Sequence, residues 1–250
     1  MILGLGACGY VLGNGWRPRL QWKAEENGVL LRESQEWADT GFSAILLAAV
    51  IMFFLVQAFK IPSGSMRSTL LEGDHLFVNK FIYGVRIPYT NRRVLRWKKV
   101  QRGDVVVFRF PAVDRTSPHY GKDFIKRAIA LPGDTVEIKD KRVFVNGVQQ
   151  VEPYAQWEDN FLIPGPDEFK KDPAVFQEIW VARKASLSPA GENVRDNFGP
   201  IVVPPGNYFV MGDNRDRSYD ARFWGPMPDA NLKGRAWLLY LPFRRWKIIR

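Results

Sequence analysis

Between Asp39 and Lys60 lie 20 consecutive residues without a charge, and Phe42 to Phe59 is apolar except for Ser43 and Gln57. At about 1.5 Å of rise per residue, a helix of that length covers the roughly 30 Å hydrocarbon core of a bilayer. A buried core helix is the competing reading. Core helices seldom run so far without a charge, and Trp37 stands where an interfacial ring belongs. The run therefore predicts a transmembrane helix over 40–59, with no small-x-small exit of the kind that marks a cleaved signal.

Residues 1–16 are a second uncharged stretch, with five glycines. They read as a first transmembrane segment, the end of a longer one or a surface association, so one or two transmembrane helices are expected. Residues 17–39 mix both signs and read as a polar connection, with Arg17, Arg19, Lys23 and Arg32 favouring the cytoplasmic side. The chain as a whole has a formal charge of +10 and a pI of about 9.8. Only four Lys or Arg, against five Asp or Glu, precede Lys60, so the basic surplus belongs to the rest of the chain. Such a surplus fits anionic lipid headgroups or nucleic acid. No basic stripe interleaved with aromatics supports nucleic acid, and no nucleic-acid partner is expected. Cys8 is the only cysteine, which excludes an intrachain disulfide, a Cys-x-x-Cys pair and a thiolate zinc site. With only His75 and His119 besides, no metal is expected.

Past Asp74 the apolar runs shorten. Leu76–Val78, Val105–Phe110, Val136–Ile138, Arg142–Val145, Tyr208–Met211 and Trp237–Leu241 are rich in β-branched and aromatic residues bounded by turn formers, and read as strands. Asn146-Gly147 between Arg142–Val145 and Val148–Val151 is a two-residue hairpin signal. No helix-period segment of comparable strength follows Lys60, so the fold class is mostly β. Residues 152–200 carry scattered Pro and Gly and weak periodicity, and read as a smaller inserted β subdomain. Residues 60–151 and 201–250 would then form the two parts of a catalytic core. The basic, aromatic end from Arg244 to Arg250 suits a membrane surface or a solvated terminal strand.

Three segments carry chemistry. Ile61-Pro62-Ser63-Gly64-Ser65-Met66 places small hydroxyls on a chain whose torsions are fixed at Pro62 and freed at Gly64. It reads as a nucleophile's turn or as an ordinary cap. A Ser-His-Asp triad would need His75, next to Asp74 at a strand start, or His119, in the Thr116–His119 loop, and neither context points to a base oriented by a carboxylate; His119 reads as a surface residue. Lys126, within the apolar Phe124–Leu131, is the better base. Desolvation lowers an amine's pKa until it can take a serine proton near neutrality, and the adjacent charge of Arg127 would act the same way. The segment from Met211 to Gly225 lacks the ligand spacing of an EF-hand and reads as Asp–Arg pairs bracing a turn, with one hydroxyl left to be aimed.

In order, Ile61–Met66, Gly73-Asp74 followed by Lys80, Arg102-Gly103-Asp104 with its apolar strand, Phe124–Asp134 and Gly212–Gly225 resemble the successive motifs of bacterial type I signal peptidases. The resemblance implies a membrane-anchored, β-rich serine endopeptidase on the outer side of the cytoplasmic membrane, cleaving signal peptides from exported pre-proteins without a cofactor. By motif it assigns Ser65 as nucleophile and Lys126 as general base. Ser218 would orient the lysine, the Ser63 hydroxyl and Ser65 N–H would form the oxyanion hole, and Asp220 with Arg222 would brace the region. Phe59, Ile61, Pro62, Leu76 and Ile125 match positions lining shallow apolar pockets for small substrate side chains.

One departure stands out. Ser68 occupies the place of the proline usual in that family, which predicts a looser loop after the nucleophile, at a cost of up to about 1 kcal/mol. Two other readings follow: a relative specialised for one pilus or conjugation substrate, and an idle membrane-anchored binding protein in which Ser68→Pro would restore cleavage.

Overall fold

The computed structural model describes residues 28–86, 93–95, 97–112, 114–165, 172–183 and 194–249, without the side chains of 28–35, 50–55, 85 and 86. The expectations for residues 1–16, and for Arg17, Arg19 and Lys23 in the polar connection, lie outside them. Two compact units divide the chain, Met1–Ala49 and Val50–Arg250.

Helix α1 spans Gly28–Leu55. The expected transmembrane helix reached Phe59, but the chain turns extended at Val56. Strand β1, Val56–Lys60, pairs antiparallel with β2, His75–Asn79, in a register that sets Phe59 opposite Leu76. Sheet hydrogen bonds thus take over the last apolar residues of the run. Among the described residues, no helix is long and apolar enough to cross a membrane.

The second unit is mostly β, as its pattern of short branched runs predicts. After β1 and β2 come a short ribbon of β3 (Val85–Arg86) and β4 (Arg93–Val94), then β5 (Val105–Arg109) and β6 (Asp123–Ala130). A hairpin follows, β7 (Thr135–Lys139) and β8 (Arg142–Val145), and then β9 (Val148–Gln149). Helix α2 (Pro173–Val181) leads to β10 (Phe198–Val202) and β11 (Asn207–Met211). Helix α3 (Ala221–Trp224), β12 (Met227–Pro228), β13 (Leu232–Leu241) and β14 (Lys247–Ile248) complete the chain. The main sheet runs β1-β2-β13-β5-β6-β11-β12, with β14 on β13.

A second sheet runs β10-β7-β8-β9. Within it β10 returns to pair antiparallel with β7, whose first residue is Thr135. Asn146 and Gly147 have φ of +53° and +77°, the left-handed pair that a two-residue hairpin turn requires. Helix α2 begins on Asp172, whose carboxylate accepts the N–H groups of Ala174 and Val175, with Pro173 in the first turn. It buries Phe176 and Trp180 against Phe198 and Phe209.

Both faces of the main sheet are covered. Strand alternation sends Val105 and Val107 into one apolar cluster with Ile61, Met66 and Leu70. Val106 and Phe108 enter the other, with Trp180, Phe209 and Trp224. Three Gly-Asp steps seen in the sequence close its turns in one way. Gly73, Gly103 and Gly133 have φ near +88°. Each following aspartate accepts an N–H from three residues back: Asp74 from Leu71, Asp104 from Gln101, Asp134 from Leu131. Arg245 of the basic C-terminal run is spent on one of them, 2.6 Å from the buried Asp74 carboxylate. Phe243 and Trp246 beside it remain exposed.

Candidate active site

Ser65 sits in a single 3-10 turn, Gly64–Met66. The turn is held from beneath, because Ile61, Met66 and Leu70 are all within 1% of full burial. It is also held along the backbone. Ile61 N–H donates to the Asp74 carbonyl, Gly73 N–H to the Ile61 carbonyl, and Leu70 N–H to that of Met66. Apolar anchoring thus fixes a small polar residue at the rim of a cavity of about 810 Å³.

Across the cavity, β6 presents Lys126. Its Nζ lies 2.6 Å from Ser65 Oγ, and the side chain is 4% exposed. Burial lowers its pKa to about 8, against the pull of Asp220 and Asp213 and with help from Arg222. Arg127 takes no part, contrary to the expectation from adjacency. Neighbours on a strand point to opposite faces, and Arg127 turns away to form a buried ion pair with Asp213 at 2.7 Å. Its Nη2 also donates to Thr69 Oγ1 at 3.1 Å.

The loop after β11 supplies the third wall. Gly212 passes so close that a Cβ there would lie 2.3 Å from Ser218 Oγ and 2.4 Å from the Ser65 carbonyl oxygen. Only glycine admits this approach. The Asn214 N–H then donates to that same carbonyl at 3.1 Å. Ser218 is buried; its hydroxyl makes no well-aligned hydrogen bond but faces the Asp220 carboxylate closely enough to help lower its pKa, and the expected bond to Lys126 is not formed. Asp220 and Arg222 pair at 2.9 Å, both essentially inaccessible. Burial works to raise the Asp220 pKa, but the Arg222 charge and hydrogen bonds, with the Gly212 N–H and the Ser218 hydroxyl, hold it below the usual carboxylate range.

The remaining expected residues divide. Phe59, Pro62, Ser63 and Ile125 line the cavity. Ile61 and Leu76 lie in the apolar cluster and are 1% and 0% exposed. They act as floor rather than lining. His119 is not a plain surface residue: it lines the cavity and packs against Phe110, Phe124 and Tyr219 at centroid distances of 5.2–5.6 Å. His75 packs edge-on to Tyr240 instead.

Sequence reading missed Glu158, Asn214 and Arg217 on the cavity rim. Glu158 falls in the weakly patterned 152–200 region, where no local signal marks it. Ser68 also behaves otherwise than expected. Its φ is +84°, and its hydroxyl donates to the Tyr154 carbonyl at 2.5 Å. A hydrogen bond, not a ring, restrains the chain past Ser65.

A family model described as signal peptidase, peptidase S26, matches residues 34–241. The signal peptidase I of Pseudomonas fluorescens is 36% identical over 224 residues, covering 85% of this chain and 74% of that protein. That of Aquifex aeolicus (strain VF5) is 35% identical over 226 residues, covering 80% and 81%. A crystal structure of a signal peptidase I from Enterococcus faecalis V583 is similar at 32% identity and a TM-score of 0.35, covering 55% of this chain and 97% of that one.

Proposed function

This chain belongs to the peptidase S26 family of signal peptidases, and from that premise we propose that Ser65 and Lys126 are the catalytic pair with which it removes signal peptides from pre-proteins. It is a serine endopeptidase. The observation that carries the assignment of the pair is the 2.6 Å contact between the Lys126 amine and the Ser65 hydroxyl inside a cavity.

The chemistry follows from the geometry. Neutral Lys126 accepts the Ser65 proton as Oγ attacks the scissile carbonyl. The negative charge that develops on the carbonyl oxygen is met by the Ser65 N–H and the Ser63 hydroxyl, on a turn whose backbone is already fixed. As the tetrahedral species collapses, the C–N bond breaks and Lys126 returns the proton to the departing amine of the mature chain. Water, deprotonated by the same amine, then hydrolyses the acyl-enzyme and frees the signal peptide's carboxylate. Ser218, whose buried hydroxyl stands beside Gly212 and faces Asp220, orients the lysine once substrate closes the site. Asp220 and Arg222 hold the loop that carries it. Phe59, Pro62 and Ile125 form the apolar wall for short signal-peptide side chains, with Ile61 and Leu76 behind them.

Anchoring to a bilayer belongs to the same reading. Trp37, Phe42, Ile45 and Leu47 of α1 are 58–78% exposed, apolar surface that lipid would cover. The catalytic unit would stand on the outer side of the bacterial cytoplasmic membrane, where exported pre-proteins emerge. The idle-binding reading loses its motive, since Ser68 holds the turn through its hydroxyl.

The test is cleavage of a pre-protein by the detergent-solubilised chain. Ser65→Ala and Lys126→Ala should each abolish it while the fold persists. Undiminished cleavage by either variant would overturn the pair.

A further inference from the structure

The cavity has two kinds of wall. Phe59, Pro62, Phe124 and Ile125 are apolar; Arg67, Glu72, Glu158, Asn214 and Arg217 form a polar, mostly charged rim, and Lys122 and Asp123 are the other charged residues of the lining. The rim is one connected set. Arg67 Nη2 lies 2.6 Å from Glu72 Oε1, and Arg217 Nε donates to Glu158 Oε2 at 3.2 Å. Asn214 Nδ2 donates to Glu158 Oε1 at 2.7 Å, while its backbone N–H holds the Ser65 carbonyl.

The rim also stands beside the reacting atoms. A Cβ on Gly64 would lie 2.6 Å from both Arg67 Nε and Glu72 Oε1, so this ion pair packs over the residue that precedes the nucleophile. The apolar wall suits the small side chains of the signal peptide. What remains for the charged rim is the chain on the other side of the scissile bond.

The rim's charge is not presented evenly. Arg67 and Arg217 side chains are 47% and 59% exposed, against 39% and 29% for Glu72 and Glu158. Glu158 has both oxygens engaged, by Asn214 and by Arg217. Arg217 uses Nε and Nη2, on Glu158 and Asp159, which leaves Nη1 uncommitted among the described residues. Arg67 Nη1 only approaches Glu158, at 3.7 Å. Each guanidinium therefore keeps a donor edge for a further carboxylate, the geometry for which arginine is suited.

We infer that Arg67 and Arg217 form a subsite for an acidic side chain within the first two residues of the mature chain. The subsite rests on Ser65 being the nucleophile, and it makes this enzyme favour pre-proteins whose mature part begins with Asp or Glu over those that begin with Lys or Arg. Because both arginines are half-exposed, the preference is modest and falls with salt.

The test uses the detergent-solubilised full chain and three peptides, identical through the cleavage site and carrying Asp, Asn or Lys as the second mature residue. At low salt kcat/KM should fall in that order, with roughly three- to tenfold between Asp and Lys. The spread should shrink in high salt, and Arg217→Glu should invert it. A ratio measured on one preparation is insensitive to partial unfolding of a variant. Equal kcat/KM for the three cleaved peptides would overturn the subsite alone, as would a preference for Asp that survives in both Arg217→Glu and Arg67→Gln. If none were cleaved while a folded pre-protein also resisted, the nucleophile assignment would fall and the subsite with it.

Discussion

Replacing Lys126 by Met should destroy activity and strengthen the fold. The amine is 4% exposed, and burial lowers its pKa to about 8 from an ordinary value of about 10.4. Between these limits the unfolded chain holds a proton that the folded chain has given up. Stability must then rise with pH from about 8 to about 10.4, and the full cost is present below about 8. A shift of that size corresponds to about 3 kcal/mol. Methionine matches the length of lysine and carries no charge, so the cost disappears. Against it stands the Ser65 hydroxyl, which loses its partner at about 1 kcal/mol. The net expectation is about 2 kcal/mol of added stability at pH 7, shrinking until the variant is no more stable than wild type near pH 10.4. Guanidinium unfolding of the detergent-solubilised chain, followed by tryptophan fluorescence at both pH values, measures it. In wild type the same amine, as the proposed base, should set an acid limb, with kcat/KM at pH 7 about one tenth of its alkaline plateau. A Met variant less stable than wild type at pH 7, or a gain independent of pH, would refute the claim that burial is the main influence lowering this lysine's pKa.

Two further substitutions probe the frame around the pair. In Gly212→Ala the new Cβ would meet the Ser65 carbonyl oxygen at 2.4 Å, and a backbone atom cannot swing aside. Ser65 must shift, so turnover should fall by about 10²-fold with about 1–3 kcal/mol of lost stability; turnover within twofold of wild type would contradict the packing. Ser68→Pro demands a φ near −65° where the chain has +84° and deletes the hydrogen bond to Tyr154. It should lose more than about 1 kcal/mol and reduce cleavage, whereas Ser68→Gly accepts the torsion. Thermal melts and pre-protein turnover compare the two, and full activity in the proline variant would show that the turn does not need this torsion.

How much of this could be read beforehand depends on whether the deciding interaction is local. The hairpin at Asn146-Gly147 is written in two residues that tolerate left-handed torsions, and it formed where expected. The end of the apolar run is not local. Val56 to Phe59 look like a continuing helix until β2 offers a partner. Strand β10 is still less visible, since Gly199 and Pro200 within it read as breakers and only pairing with β7 makes it a strand. The pair itself shows the same divide. Lys126 announced itself by apolar neighbours, but its pKa is set by Asp220, Asp213 and Arg222, which reach it through the fold. The neighbour in sequence, Arg127, is turned to the opposite face and pairs with Asp213. That arrangement also suits the role proposed for the lysine. A lysine facing an unpaired arginine would lose its proton too readily to return one to a leaving amine, and one facing unpaired carboxylates would hold it too tightly to act as a base. Here Arg127 is matched by Asp213 and Arg222 by Asp220, so burial remains the largest influence on the amine.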